Sequence, residues 1–221
     1  MRWVKWIYLG WAGLTYLLTF WIRGLDADNG THLALLLVLA STLAFVSRRP
    51  ARVPRRPYAT FIAAGVLLAA VGEGCYMISK PFLPSLLITA GMPAAQMLRN
   101  YGVDLLFTLP VYVVVFTVIW RLIHRFNYAR WEYILVFALG QALGDGNQTF
   151  LHAPALLLFL PYVMVNYHAM NVVPYLLIEG SLPAGRSESR WRLVAGVAAM
   201  VAVYLVGGAI IVGIARAVGL A

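Results

Sequence analysis

Gln141, Asp145, Gln148 and His152 follow one another at spacings of four, three and four within GQALGDGNQTFLHAP (residues 140–154), a stretch that is otherwise apolar. On one continuous helix that spacing puts all four on a single stripe. Glu73, Tyr76 and Lys80 repeat at three and four in VGEGCYMISK. Asp104, Thr108 and Tyr112 repeat at four in the next apolar run. His168, Asn171 and Tyr175 repeat at three and four in NYHAMNVVPY, with Asn166 close by. Carboxyls, imidazoles and phenols exchange protons, and amides orient the groups around them. The pattern points to acid–base chemistry, with Glu73 and Asp145 as the principal catalytic carboxyls and His152, His168 and Tyr76 assisting. Asp104, Gln141, Gln148, Asn166 and Asn171 would then line the substrate site.

The elements that carry these residues are apolar enough to belong in a bilayer. Of 221 residues, 62% are hydrophobic and 11% charged, against roughly a quarter charged in soluble domains. Several runs approach the roughly 20 apolar residues that a transmembrane helix needs, and the short alternating segments of a membrane barrel are absent. Seven spans are expected, at 3–22, 32–47, 58–79, 103–123, 132–152, 154–178 and 192–215. The fold class is therefore all-α: a polytopic seven-transmembrane-helix bundle forming one integral membrane domain over residues 1–221.

The net charge of +9 does not indicate a nucleic-acid partner, because the basic residues gather in short loops: SRRPARVPRRP, WRLIHRFNYARW and GRSESRWR. All three loops fall on one side of a seven-span chain. Of the 17 Lys and Arg, only Arg23, Lys80, Arg99 and Arg216 lie on the other side. The positive-inside rule then orients the chain with its N-terminus inside and its C-terminus outside. Trp3, Trp6, Trp120, Trp131 and Trp191 sit near the inner ends, where indoles favour the headgroup zone. The first run is too long and aromatic for a cleaved signal peptide and reads as a retained helix. Without long insertions or a targeting tail, a bacterial inner membrane is the expected location. The expected partners are membrane lipids and a small hydrophobic substrate.

A polar group in a membrane helix faces the bundle interior, since an ionisable residue turned to lipid costs about 2.5–3.5 kcal/mol or more. The four stripes converge in level, toward the outer half. Gly140, Gly144 and Gly146 permit either close helix approach or local unwinding at GDGN. Pro110, Pro161 and Pro174 would bend their helices. Each stripe also has a plainer reading. Glu73 can be a packing hydrogen bond, Asp104 an edge ion pair with Arg99, and His168 a hydrogen-bonded core histidine. Residues 80–100, apolar but broken by three prolines, would lie along or dip into the outer surface, as a lid or as a passive interfacial helix.

No GxSxG elbow, HExxH helix, P-loop or dinucleotide fingerprint occurs, so no cofactor is implied. The last span has no lysine for a Schiff base, and one cysteine, Cys75, excludes an internal disulfide. Glu73 to Tyr76, EGCY, fits an E-x-x-Y pattern, and NYGVDLL opens the following helix. With the chain length and span count, these segments make the chain resemble the small integral-membrane terpene cyclases of meroterpenoid pathways. That resemblance covers residues 58–150 and implies protonation of an epoxide or olefin by an intramembrane carboxyl, followed by cyclisation in an apolar pocket. Glu73 would be the acid and Tyr76 its partner. Gly72 stands where that family carries an aromatic, and the last span lacks an acid.

Three functions follow from these residues. A membrane-embedded enzyme acting on a lipid or isoprenoid is the leading one, with a metal-assisted hydrolase using Asp145, His152 and His168 as a variant. A proton- or cation-coupled small-molecule permease would show flux without a product. A non-catalytic membrane assembly factor would copurify with a partner and tolerate loss of the acids.

Overall fold

The structure is a computed structural model that describes residues 2–48 and 53–220, with the backbone alone for Arg2, Asn147 and Gln148. Arg49 and Arg52 of the first basic loop therefore lie outside the described residues. The chain is helical throughout, and the described residues contain no strand, only one isolated bridge between Phe126 and Ser187. Eight α-helices follow in order: α1 (Arg2–Arg23), α2 (Ala27–Ser47), α3 (Pro57–Tyr76), α4 (Ala94–Arg125), α5 (Arg130–Asp145), α6 (Asn147–His152), α7 (Leu160–Ile178) and α8 (Trp191–Ala217).

Local chemistry sets several of these boundaries. Asp26 caps α2 by accepting the Asn29 N–H at 2.8 Å, and Pro57 opens α3 at a position where a missing N–H costs nothing. Glu132 reaches back to the Ala129 N–H at the start of α5, 3.0 Å away, and holds Arg192 of α8 through both carboxylate oxygens.

Five units are long and apolar enough to cross a membrane: α2, α3, α4, the segment Pro154–Ser181 built around α7, and α8. The sequence suggested seven. Of the two that fall short, α5 has only 16 residues, about 24 Å of helix, and it packs between α7 and α8. A helix shielded from lipid on both sides need not be apolar all round. α1 is longer, but Arg2, Lys5 and Arg23 at its ends dilute its hydropathy.

At the centre is α7, buried on nearly every side by α1, α2, α3 and α5. The most extensive helix packing is that of α5 with α8, and glycine makes it possible. A Cβ on Gly140 would lie 2.7 Å from Met200 Cβ and 2.8 Å from the Val197 carbonyl, and one on Gly144 would lie 2.7 Å from Tyr204 Cβ. The interior divides along the helix axes. One half is hydrocarbon and aromatic, built on Phe61, Phe116, Ile119, Tyr133, Phe137 and Met200. Apart from Glu132 with its Arg192 partner, the other half holds most of the buried polar side chains. In α4 the change is plain: Asn100, Asp104, Thr108 and Tyr112 are buried up to just past its midpoint, and Val115, Phe116, Ile119 and Ile123 beyond it.

Residues 80–100 do not form a separate surface helix. α4 already starts at Ala94, and the preceding chain makes one short 3-10 turn, Pro84–Leu86. Leu83 and Leu86 are buried with Met77, Ile211 and Ala215. Ser85 donates to the Leu220 carbonyl at 2.6 Å. The prolines prevent a helix here, and the leucines pin the segment across the ends of α4 and α8.

Candidate functional site

Glu73 lies in the last turn of α3, where it is buried, and it accepts a 2.6 Å hydrogen bond from the Tyr112 hydroxyl of α4. Gly72 beside it makes room for Met170 of α7, whose Cε would stand 2.7 Å from a Cβ there. Tyr112 and Tyr204 of α8 are neighbours within the same group. Tyr204 in turn receives a bond from the Gln141 amide at 3.3 Å, and Gln141 accepts one from the Asn171 amide. Tyr133 donates to the Asn171 carbonyl at 3.1 Å. Five helices thus contribute to one hydrogen-bonded group that runs from Glu73 to Asn171. Gln141 and Asn171, taken from the sequence as substrate-lining, are completely buried within it. Removing one member would leave its partner unmet, which costs about 1–3 kcal/mol for a buried group.

Asp104 is completely buried, and neither carboxylate oxygen has a hydrogen-bond partner among the described residues. The expected edge pairing with Arg99 is not formed. Thr108 bonds instead to the Asp104 backbone carbonyl, at 3.0 Å. The i, i+4 stripe on α4 turns Asp104 inward with Tyr112, and its carboxyl comes within electrostatic reach of Glu73.

Asp145 ends α5 and accepts from the Tyr167 hydroxyl of α7 at 2.7 Å. The expected continuous stripe does not extend past this point. Gly146, at φ −83° and ψ 9°, stops α5, and a separate six-residue α6 follows. The break takes His152 out of register with Gln141, so that Gln141 is buried and His152 is exposed. The side chain of Gln148 lies outside the described residues. The glycines therefore play two roles: Gly140 and Gly144 seat α8, and Gly146 interrupts the helix.

On α7 the expected single face becomes three directions, since a helix residue turns about 100° from the last. Asn171 meets α5 through Gln141. Asn166 donates to the Tyr76 hydroxyl of α3 and stands 3.3 Å from His32 Nε2 of α2. His168 faces α1, where its Nε2 is 2.5 Å from the Tyr8 hydroxyl. Tyr76 is thus a partner of Asn166 rather than of Glu73, and His168 stands apart from both acids. No three His, Cys, Asp or Glu among the described residues stand together as a metal site. Asp145, His152 and His168 are accordingly not brought together for the hydrolase variant.

Several participants were not singled out as site residues in the sequence. His32 stacks on Tyr162 with ring centroids 3.7 Å apart, and Tyr162 donates to Asn29 at 2.5 Å. The signal was DADNGTH, residues 26–32, where Asp28 and His32 share a helix face at the mouth of an apolar run. Arg23 pairs with Asp26 at 2.7 Å and with Asp28 at 2.8 Å just above them. The Asn29 N–H, followed by Arg23, holds the Asp26 carboxyl below its ordinary value. Tyr112, Tyr167 and Tyr204 complete the carboxyl and amide groups. Tyr112 was visible on the Asp104–Thr108 stripe and Tyr167 lies four residues before Asn171, whereas Tyr204 lies on a helix that looks apolar in sequence, and a phenol reveals its hydroxyl role only when a partner is known.

No protein-family profile, curated protein or solved structure matches this chain.

Proposed function

We propose that the chain is a membrane-embedded enzyme that acts on a lipid or isoprenoid by acid–base chemistry, with Glu73 as the proton-transferring group and Tyr112 as the residue that orients it. Asp145, held by Tyr167, is the second carboxyl. The amides of Gln141 and Asn171 fix the polar wall of the site. The observation that carries this reading is the carboxyl–phenol pair Glu73–Tyr112, set beside an unpartnered carboxyl, Asp104, inside an apolar bundle. Ionisable groups inside a membrane are expensive, and they mark sites of substrate, ion or proton handling. The likeness of the EGCY segment to membrane terpene cyclases supports the same role for Glu73 and favours an isoprenoid substrate.

The proposal includes the seven-span arrangement with the N-terminus inside. The α5–α6 pair counts as a span because α5 packs between α7 and α8, and α1 because it lies along α7 with an exposed apolar face, and the basic loops lie on the cytoplasmic face of a bacterial inner membrane. Mass spectrometry of lipid extracts from cells expressing matched amounts of wild type, Glu73→Gln and Asp145→Asn tests the enzymatic reading. A lipid species that changes with wild type and reverts in both variants is the expected result. Wild-type expression that leaves the lipidome unaltered removes the enzyme.

One observation favours a second reading, a proton- or cation-coupled permease. Asp104 is sealed from solvent with both oxygens unmet, an arrangement suited to a proton or small cation. Flux in proteoliposomes that depends on pH and is lost in Asp104→Asn, with no product formed, would establish it.

A further inference from the structure

Two distant basic stretches, WRLIHRFNYARW and GRSESRWR, meet at one end of the bundle. The loop before α8 is laid against the end of α4 by two backbone bonds. The Ser187 N–H donates to the Arg125 carbonyl at 3.1 Å, and the Asn127 N–H donates to the Ser187 carbonyl at 2.8 Å. Arg186 fixes the same junction. Its Nε donates to the Pro183 carbonyl at 2.9 Å, and its Nη1 to the Ile123 carbonyl at 2.8 Å and the Phe126 carbonyl at 3.5 Å. The last carbonyls of a helix have no partner within it, so this guanidinium closes α4 and is itself held still. Its Nη2 has no hydrogen-bond partner among the described residues.

Of the eight Asp and Glu in the chain, three lie at this end, and two of them are already paired. Glu179 holds Arg130 at 2.6 Å and Glu132 holds Arg192 at 2.8 Å. The third, Glu188, accepts from the Asn127 amide at 3.1 Å. Against it stand Arg121, Arg125, Arg186 and Arg190, none of them paired with a carboxylate among the described residues. Arg121, Arg125 and Arg190 are exposed, and Arg186 is half-buried between them and the helix end.

Depth in the bilayer identifies the partner. Arg125 lies about 30 Å along α4 from Asp104, close to the roughly 30 Å thickness of a hydrocarbon core. Trp191, 75% exposed, directly follows Arg190, where an indole suits the headgroup zone. Lipid phosphates lie at that level, and a guanidinium meets phosphate oxygens with two parallel N–H bonds. The positive-inside rule asks only for basic loops. It does not ask for a guanidinium tied to three carbonyls between two of them.

We propose that this surface binds the phosphate of an anionic phospholipid, with Arg186 as its fixed centre and Arg125 and Arg190 as its flanking arms. The site lies at the opposite end of α4 from Asp104, and it needs no chemistry at Glu73. It requires only that the bundle spans a bilayer.

The test is native mass spectrometry of the purified full chain in detergent, with equal amounts of phosphatidylglycerol and phosphatidylcholine of identical acyl chains. Wild type is expected to retain phosphatidylglycerol several-fold over phosphatidylcholine. Arg125→Gln combined with Arg190→Gln should abolish that preference. Neither side chain donates a hydrogen bond among the described residues, so the unfolding temperature should stay unchanged. Arg99→Gln combined with Arg216→Gln removes the same charge at the other end of the bundle and should keep the preference. Equal retention of both lipids by wild type would overturn the proposal. So would a preference that survives the Arg125 and Arg190 changes, or one that falls as far with the Arg99 and Arg216 changes. Displacement of the lipid by an equal concentration of inorganic phosphate would assign the surface to a soluble anion and overturn it as well.

Discussion

Tyr112 donates to Glu73 at 2.6 Å, and two substitutions separate what this bond does for stability from what the carboxyl does for chemistry. Glu73→Gln keeps an oxygen to accept from Tyr112, so it should hold the fold and lose the activity. Tyr112→Phe deletes the donor and should cost about 1–3 kcal/mol of stability, read as a fall in thermal unfolding temperature in detergent. A Glu73→Gln variant that falls as far as Tyr112→Phe would make Glu73 a structural residue. Asp104 behaves in the opposite way. Its buried carboxyl has no partner among the described residues, so Asp104→Leu is expected to raise stability by about 1–3 kcal/mol while impairing whatever proton or ion handling the site performs. A large drop in unfolding temperature instead would mean that the carboxyl is satisfied in the bilayer. At the rim, the Asn29 N–H and Arg23 hold Asp26 below its ordinary value. Its folded value is lower than its unfolded one, so its stabilising contribution is whole above the usual carboxylate value of about 3.9. That contribution is lost as pH falls through the folded value. Asp26→Asn, which still caps α2, should flatten the acid limb of the pH–stability curve; an unchanged acid limb would show that Asp26 contributes nothing there.

At the scale of elements, the glycines of α5 decide how near α8 can come. Gly140→Leu places a side chain where a Cβ alone would be 2.7 Å from Met200, and overpacking of this kind costs about 1–3 kcal/mol. Gly10→Ala in α1 is the control, since nothing lies within 4 Å of its Cβ, and it should be neutral or slightly stabilising. Equal behaviour of the two variants would mean that α5 and α8 are not tightly packed. The helices themselves were legible from apolar runs and their punctuation, but their bounds less so: the expected 3–22 and 192–215 match α1 and α8 within two residues at both ends, while α2 and α4 start five or more residues earlier than expected and α5 stops seven earlier. The register of side chains across elements was less legible. The stripe through Gln141 and His152 assumed an unbroken helix, and Gly146 breaks it. The face assigned to His168, Asn171 and Tyr175 assumed that α7 has one polar side. Because α7 is buried nearly all round, it has none, and each of its polar residues meets whichever neighbour lies in its own direction.

For the whole molecule, an apolar exterior encloses a hydrocarbon half and a polar half. Trp3 and Trp191 are 80% and 75% exposed, and both lie at helix ends, as headgroup anchors do. The proposed orientation can be checked by cysteine labelling in a Cys75→Ser background. Ala184→Cys, in the exposed turn before α8, should react only from the cytoplasmic side, and Ala90→Cys, in the segment before α4, only from the opposite side. The reverse pattern would invert the bundle, and labelling of both from one side would change the number of spans between them. The three carboxyls reach the same half because α3 ends, α4 begins and α5 ends there. Chain reversal at each connection is enough to bring Glu73, Asp104 and Asp145 to one level.

The sequence by itself determined that the chain is helical, that several of its helices are apolar enough to cross a membrane, and which helices carry acids. Hydropathy and periodicity report burial against lipid or core along one element, and charge counts report the loops. Only the tertiary structure decided which hydroxyl meets which carboxyl: Tyr112 with Glu73, Tyr167 with Asp145, none with Asp104. It also placed His168 against Tyr8, and left His152 exposed. Those pairings depend on the rotation of each helix about its axis and on how close two helices can come. Both are set by the packing of glycine against bulk at long sequence separation, which a local pattern does not encode.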